Sequence, residues 1–127
     1  MEFAKKNPLK IKKYMADQFE NRHSKFVWSN IVGRSMRKGF AVMGRAEFVA
    51  WYESEKKECS YCGINEKLAR MLFERFLAVD RKDNKVGYVQ GNICLACHRC
   101  NLVKSAFLTY DQMMTVAAMF FQPKVAA

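Results

Sequence analysis

Residues 79–104, VDRKDNKVGYVQGNICLACHRCNLVK, contain the features from which the fold of this chain is predicted. Cys97 and Cys100 form one CxxC pair, and Cys59 and Cys62 form a second pair upstream, in the sequence CSYCG. Each CxxC turn presents two thiolates from one side, and zinc prefers four such ligands in a tetrahedron. The two pairs together therefore predict one structural zinc site with four cysteine ligands.

Oxygen-bearing side chains accompany the cysteines at Asp80, Asn92 and Asn101. Carboxylate and amide oxygens suit magnesium or manganese better than zinc. The sequence therefore predicts a second, oxygen-lined metal site beside the zinc. The fifth cysteine, Cys94, falls in a predicted strand, where we expect a small buried side chain.

Length and composition limit the class of protein. The chain has 127 residues, the size of one domain, and half of them are hydrophobic, so a core can form. No apolar run reaches the length of a membrane span, and the N-terminus has no apolar signal segment, so we expect no membrane partner. Because four of the five cysteines lie in CxxC pairs, metal binding in a reducing compartment is favoured over disulfides, which predicts a cytoplasmic protein.

Positive charge is concentrated in the first third of the chain. The net charge is +10, and residues 1–45 carry 11 Lys and Arg against 3 Asp and Glu. This distribution favours a polyanionic partner, most simply nucleic acid, although a merely soluble basic surface is the alternative. The side chains that we predict to contact DNA are Lys12, Lys13, Arg34, Arg37, Lys38 and Lys104. For Lys104, a solvated helix lysine is an equally good interpretation.

Hydrophobic periodicity and turn residues predict a mainly helical chain with one hairpin. The predicted helices lie at residues 11–21, 24–38, 45–58, 65–73, 98–106 and 109–121, and the predicted strands at residues 76–81 and 92–96. The last helix begins with a capping box, Thr109 with Gln112, and Met113, Met114, Val116, Ala117 and Phe120 are expected to pack it on the body.

These elements group into three segments of one compact domain. Residues 1–58 form a basic N-terminal segment. It consists of an arm, at residues 1–13, and helices that we expect to contact DNA. Residues 59–106 form the zinc-bound core, and residues 107–127 form a C-terminal helix that packs on it.

The order strand, loop, strand, helix in the core resembles the HNH, or ββα-metal, nuclease superfamily (His-Me finger), and most closely its small phage-type members with CxxC knuckles. The resemblance covers residues 59–105 and rests on the following matches: Cys59, Cys62, Asp80, Arg81, Gly87, Tyr88, Asn92, Cys97, Cys100, Asn101 and Lys104. The nine-residue interval from Asn92 to Asn101 is the interval that the family shows between its central Asn and its helical His or Asn. The resemblance implies an α+β fold: a ββα-metal core held by the four-cysteine zinc site, with flanking N- and C-terminal helices.

The resemblance also implies roles for individual residues. Asp80 and Asn101 would hold one catalytic divalent cation, Mg²⁺ or Mn²⁺, that contacts the scissile phosphate. Asn92 would bind the backbone across the loop and hold the catalytic residue in place. The implied activity is that of a metal-dependent, nicking DNA endonuclease of phage or mobile-element origin, which would act in the host cytoplasm if a phage encodes it.

The chain departs from the family at one position. Most members have a His, the general base, directly after the Asp, but this chain has Arg81, which cannot accept a proton. Some Asp-Arg members place a Tyr seven residues after the Arg, and Tyr88 has this spacing. Since a phenol has a pKa of about 10, Tyr88 would need Arg81 or the metal nearby to act as a base. The alternatives are that Tyr88 packs on the knuckle as a loop aromatic and that His98 is the base.

Three functions therefore follow from the sequence. The first is the endonuclease, with Asp80, Arg81, Tyr88, Asn92 and Asn101 as catalytic residues. The second is a catalytically inactive, zinc-bound HNH-like regulator that binds DNA or protein; Arg81 in place of the His favours it. The third is a regulator that docks on a host enzyme through its helices, with phage or host proteins as partners.

Overall fold

The computed structural model describes residues 8–121, and within residues 8–22 it describes the backbone alone. The elements in chain order are α1 (Pro8–Lys38), α2 (Arg45–Ser54), α3 (Glu66–Phe73), β1 (Ala78–Arg81), β2 (Ile93–Ala96), α4 (His98–Lys104) and α5 (Tyr110–Phe120). The predicted α+β class is confirmed, with β1, β2 and α4 forming the expected ββα unit. Among the described residues, no helix is long and apolar enough to cross a membrane.

The first helix is longer than the sequence predicted. We expected separate helices at residues 11–21 and 24–38, but α1 runs without interruption through Ser24, which is fully buried. Glycine inside a helix costs about 1 kcal/mol relative to alanine, so Gly33 weakens α1 without ending it. The helix ends at Gly39, whose φ of +73° is a left-handed conformation that favours glycine. Residues 1–7 of the predicted arm lie outside the described residues, and residues 8–13 belong to α1.

The hairpin brings the two halves of the core together. Strands β1 and β2 are antiparallel, with Asp80 opposite Cys94 and Arg81 opposite Ile93. All four residues of β2 are buried, as predicted for Cys94. Each strand starts one or two residues later than predicted, and α2 stops at Ser54 because the backbone is already extended at Glu55.

The C-terminal helix packs on this unit largely as expected. Thr109 and Gln112 form the predicted capping box, and Met113 and Ala117 are fully buried. The prediction for Phe120 was wrong, because its side chain is 71% exposed. Phe121 packs against the core in its place, with the Arg99 guanidinium 4.3 Å from the centre of its ring.

Candidate metal centre and active site

Four cysteines from two separate segments meet in the interior, and we call them the four-cysteine cluster: Cys59, Cys62, Cys97 and Cys100. Their sulfur atoms all lie within 4.8 Å of one another, and all four residues are buried. Zinc–sulfur bonds of about 2.3 Å in a tetrahedron require sulfurs about 3.8 Å apart, and Cys62 and Cys97 Sγ are 3.7 Å apart. The donor set and its dimensions therefore fit one zinc ion.

Hydrogen bonding inside the cluster shifts the pKa values of the thiols in opposite directions. Hydrogen bonds with Cys100 lower the pKa of the Cys59 thiol to about 6 and also lower the pKa of Cys62. Hydrogen bonds with Cys59 and Cys62 raise the pKa of Cys100, which therefore keeps its proton. Since the metal ligand is the thiolate, a cation that binds all four sulfurs would have to displace the proton that Cys100 keeps, so its affinity should fall at low pH.

The turn that carries Cys59 and Cys62 also contributes a side chain that contacts Asp80. Tyr61 lies between Cys59 and Cys62, and its hydroxyl donates a hydrogen bond of 2.5 Å to Asp80 Oδ2. Burial raises the pKa of Tyr61, so the hydroxyl stays protonated and remains a donor. The position of Asp80 is therefore tied directly to the four-cysteine cluster, a connection that the sequence analysis did not identify.

Lys104 was interpreted from the sequence either as a DNA contact or as a solvated helix lysine, and its position in the structure matches neither interpretation. Its side chain is fully buried, and Nζ donates to the Arg81 carbonyl and to Asn84 Oδ1, both at 2.8 Å. The same nitrogen is 3.4 Å from Asp80 Oδ2. The solvated-lysine interpretation was wrong because α4 packs on β1 and turns Lys104 inward. A phosphate contact would require these internal bonds to break.

A pocket of about 260 Å³ opens beside Asp80, and we call it the Asp80 pocket. Its lining includes four of the five predicted catalytic residues and two basic residues from α1. These are Asp80, Arg81, Tyr88, Asn101, Arg34 and Lys38. Three cationic side chains thus face one carboxylate, and such a surplus of positive charge suits a phosphate group. The remaining predicted DNA contacts differ in position: Arg37 is exposed on α1, and the side chains of Lys12 and Lys13 lie outside the described residues.

Tyr88 is held in the pocket by its backbone. Its N–H donates to the Ala41 carbonyl at 3.1 Å, and its own carbonyl accepts from Met43 N–H at 2.9 Å. These bonds bring the backbone at Gly87 so close to that at Ala41 that a Cβ on Gly87 would lie 1.9 Å from the Ala41 oxygen. The alternative of a loop aromatic packed on the knuckle does not match this position, since Tyr88 packs on the segment that follows α1.

Two guanidinium groups lie beside the Tyr88 ring. The Arg81 and Arg34 guanidinium carbons are 5.4 Å and 5.7 Å from the ring centre. Arg81 is itself oriented by a 2.8 Å bond to the Asn84 carbonyl and lies 4.1 Å from the centre of the Phe40 ring. Positive charge at this position would attract a phosphate group that enters the pocket.

Asn92 lies outside the lining of the Asp80 pocket and fastens the loop between the strands. Its Oδ1 accepts from Asp83 N–H at 2.9 Å, and its Nδ2 donates to the Gly87 carbonyl at 2.9 Å and to the carbonyls of Asp83 and Val86 at 3.2 Å. These are the contacts across the loop that the resemblance implied. Because Gly87 precedes Tyr88, the amide of Asn92 helps to fix the position of Tyr88.

The rival base, His98, faces a different depression. It lines a second pocket together with His23, whereas the lining of the Asp80 pocket contains no histidine among the described residues. Asn101 and Arg34 border both pockets. His23 is half-buried with its ring centre 4.1 Å from that of Phe76, and burial lowers its pKa. The geometry therefore favours Tyr88 over His98.

Comparison with known proteins gives one informative result. No family model matches the chain, and no curated protein matches it. Among solved structures, the chain is similar to the rare-cutting HNH restriction endonuclease PacI, whose structure was described for its mechanism of DNA perturbation. The two chains are 31% identical, and the TM-score is 0.67 over 74% of this chain and 73% of that chain.

Proposed function

Because the chain belongs to the HNH endonuclease superfamily, we propose that it is a metal-dependent DNA endonuclease that nicks one strand, of phage or mobile-element type. The single observation that carries the proposal is the convergence of Asp80, Arg81, Tyr88 and Asn101 on one basic pocket. A fold kept only for binding has no need of a carboxylate beside an amide in a basic pocket. The similarity to a restriction endonuclease supports nuclease activity and DNA as the partner.

Two metal ions are part of this proposal. Zinc in the four-cysteine cluster would be structural, because its four ligands leave no position for a substrate. A single Mg²⁺ or Mn²⁺ would be held by Asp80 and Asn101, both of which line the Asp80 pocket. Asp80 is 8% exposed. Both polar contacts that its side chain makes with the described residues involve Oδ2, so Oδ1 is available to a cation. When bound, this ion would supply positive charge for the phosphate and the leaving oxygen.

The protein's own side chains would bind and orient the phosphate. Arg34 and Lys38 approach the pocket from α1, and Arg81 approaches from the end of β1. Arg81 cannot take a proton from water, so its contribution is charge and hydrogen bonding. Phosphate contacts of this kind place DNA without selecting its sequence, so we expect binding to weaken steeply as salt is added.

Tyr88 is the residue that we propose to act on water or on the phosphate. Arg81 and Arg34 lie close to its ring, and they would stabilise negative charge as it develops on the phenol oxygen. Asn92 would act through the loop, as a positioning residue and not as a metal ligand. This arrangement would allow the site to function with Arg81 where most of the superfamily has a His.

The test is nicking of supercoiled plasmid by the wild type and by Asp80→Ala, with Mg²⁺ or Mn²⁺ added to protein dialysed free of other divalent ions. We expect the wild type to nick only with added metal and Asp80→Ala to lose roughly a thousandfold, as for removal of a principal charge-stabilising group. Asp111→Ala is the matched control, since Asp111 is exposed on α5 and away from the Asp80 pocket. Zinc content and DNA binding should be unchanged in both variants, and thermal unfolding checks that Asp80→Ala, which leaves the buried Lys104 without its ion-pair partner, is still folded.

The alternative is a DNA- or protein-binding regulator without activity, and the substitution of Arg81 for the His is the observation that favours it. A wild type that binds DNA but never nicks, with any divalent metal, would establish this alternative. Activity that survives in Asp80→Ala would exclude the metal site described here.

A further inference from the structure

Lys104 is a buried cation next to the proposed metal ligand. Its side chain has no exposed surface, and its ammonium nitrogen is 3.4 Å from Asp80 Oδ2. Removing an ammonium group from water costs several kcal/mol, and only a favourable arrangement of partners offsets this cost. Lys104 has such an arrangement in Asp80, the Arg81 carbonyl and Asn84 Oδ1. A lysine held this way keeps a fixed position relative to the carboxylate.

The consequence for a divalent cation is electrostatic. Asp80 is the one carboxylate among the residues that line the pocket, and in the free protein its charge is already paired with that of Lys104. A dication that binds Asp80 Oδ1 would approach a nearby ammonium with little solvent between them, and at such distances repulsion inside a protein is substantial. Arg34, Lys38 and Arg81 add further positive charge around the pocket. A DNA phosphate would reverse this balance by bringing negative charge to the same place.

We propose that Lys104 is a positioning residue that keeps Asp80 charge-paired in the free protein, so that the divalent cation binds tightly only together with the DNA phosphate. The inference rests on the proposed function, because it concerns the same cation and the same substrate. Lys104 and Tyr61 both contact Oδ2, so neither of them occupies Oδ1. With this arrangement the affinity for the divalent cation is low in the absence of DNA, and the metal site becomes complete only when the substrate is bound.

The experiment measures Mn²⁺ binding by electron paramagnetic resonance for the wild type, Lys104→Met and Lys104→Gln, with and without a short phosphorothioate duplex. Asp80→Asn with the duplex gives the background from ions bound to DNA. The matched control is Lys67→Met, which removes the same charge from an exposed position on α3 outside the lining of the Asp80 pocket. Zinc content and the thermal unfolding transition report whether each variant is folded.

We expect the wild type to bind Mn²⁺ at least tenfold more tightly when the duplex is present. Lys104→Met should bind Mn²⁺ at least tenfold more tightly than the wild type in the absence of DNA, so that the effect of the duplex shrinks. Lys67→Met should resemble the wild type. Lys104→Gln keeps a donor for the Arg81 carbonyl but removes the charge, so it provides the same measurement if Lys104→Met does not fold.

Two results would overturn the inference alone. One is a wild type whose Mn²⁺ affinity is the same with and without the duplex. The other is a folded Lys104 variant whose affinity without DNA is unchanged or weaker, which would make Lys104 a structural residue only. By contrast, Mn²⁺ binding that never exceeds the Asp80→Asn background, in a wild type that does not nick, would overturn the proposed function and this inference with it.

Discussion

The four-cysteine cluster and the Asp80 pocket are neighbours built on the same ββα unit, but they are opposite kinds of site. The cluster is closed: four buried thiols provide every ligand that a tetrahedral ion needs. The Asp80 pocket is open and offers one carboxylate and one amide among several cationic side chains. A complete ligand set stabilises a fold, whereas an incomplete one leaves room for a substrate. The comparison indicates why one chain would carry two metals with separate tasks.

The largest expected effect comes from breaking the closed site. Cys62→Ala removes one of four ligands, and since structural zinc contributes on the order of 10 kcal/mol to folding, we expect loss of zinc and of the cooperative thermal transition. The control is Cys94→Ala, a buried cysteine outside the cluster, which should keep one zinc per chain. Elemental analysis and circular dichroism provide the measurement. Unchanged folding of Cys62→Ala in a zinc-free protein would show that the cluster is not a structural metal site.

Next is the chemistry of the open site, tested by Tyr88→Phe against His98→Ala. If the Tyr88 hydroxyl acts on water or phosphate, its loss should slow plasmid nicking by roughly a hundredfold or more, within the range usual for acid–base groups. His98→Ala should have little effect, because His98 lines the other pocket. Zinc content should be equal in both. The opposite pattern, with His98→Ala inactive and Tyr88→Phe active, would assign the base to His98.

A smaller effect should come from the backbone that positions Tyr88. Gly87→Ala places a Cβ against the Ala41 carbonyl, and we expect the loop to shift, with a loss of about 1–3 kcal/mol in unfolding free energy and slower nicking. Gly44→Ala is the control, because a Cβ there meets no atom within 4 Å. Chemical denaturation and the plasmid assay would be compared for both variants. Equal stability and activity in Gly87→Ala and the wild type would show that the close approach has no functional role.

The smallest expected effect concerns the link between the two sites. Tyr61→Phe removes the donor to Asp80 Oδ2 but keeps the ring, so we expect a loss of about 1.5 kcal/mol in stability, the low end of the range for one hydrogen bond to a charged group. Nicking should fall modestly while zinc stays bound. Double-mutant analysis with Asp80→Ala measures the coupling between the two residues. Independent effects of the two substitutions would mean that the cluster does not orient the carboxylate.

Much of the fold and of the four-cysteine cluster could be predicted from local sequence patterns. The CxxC spacing identified the four ligands of the cluster, since each turn by itself fixes two sulfurs. Thr109 and Gln112 were recognised as a capping box from adjacent sequence, and the Thr109 side chain accepts from Gln112 N–H as expected. Such features depend on residues three or four positions apart, so the sequence is sufficient to find them.

Long-range contacts escaped prediction for a physical reason. Nothing in the sequence near Lys104 distinguishes it from a solvated helix lysine, and only the packing of α4 on β1 buries it beside Asp80. In the same way, the bond from Tyr61 to Asp80 joins residues 19 positions apart.

The sequence by itself determined the chemistry available to this protein: which side chains offer soft and hard donor atoms for metals, where the hairpin and its helix lie, and which region is basic. The tertiary structure decided how that chemistry is arranged. Packing of α1 brings Arg34 and Lys38 to the Asp80 pocket and leaves His98 facing another one. The reason is that ligand type and spacing are local properties of the chain, whereas burial, charge pairing and the approach of one element to another depend on the whole fold.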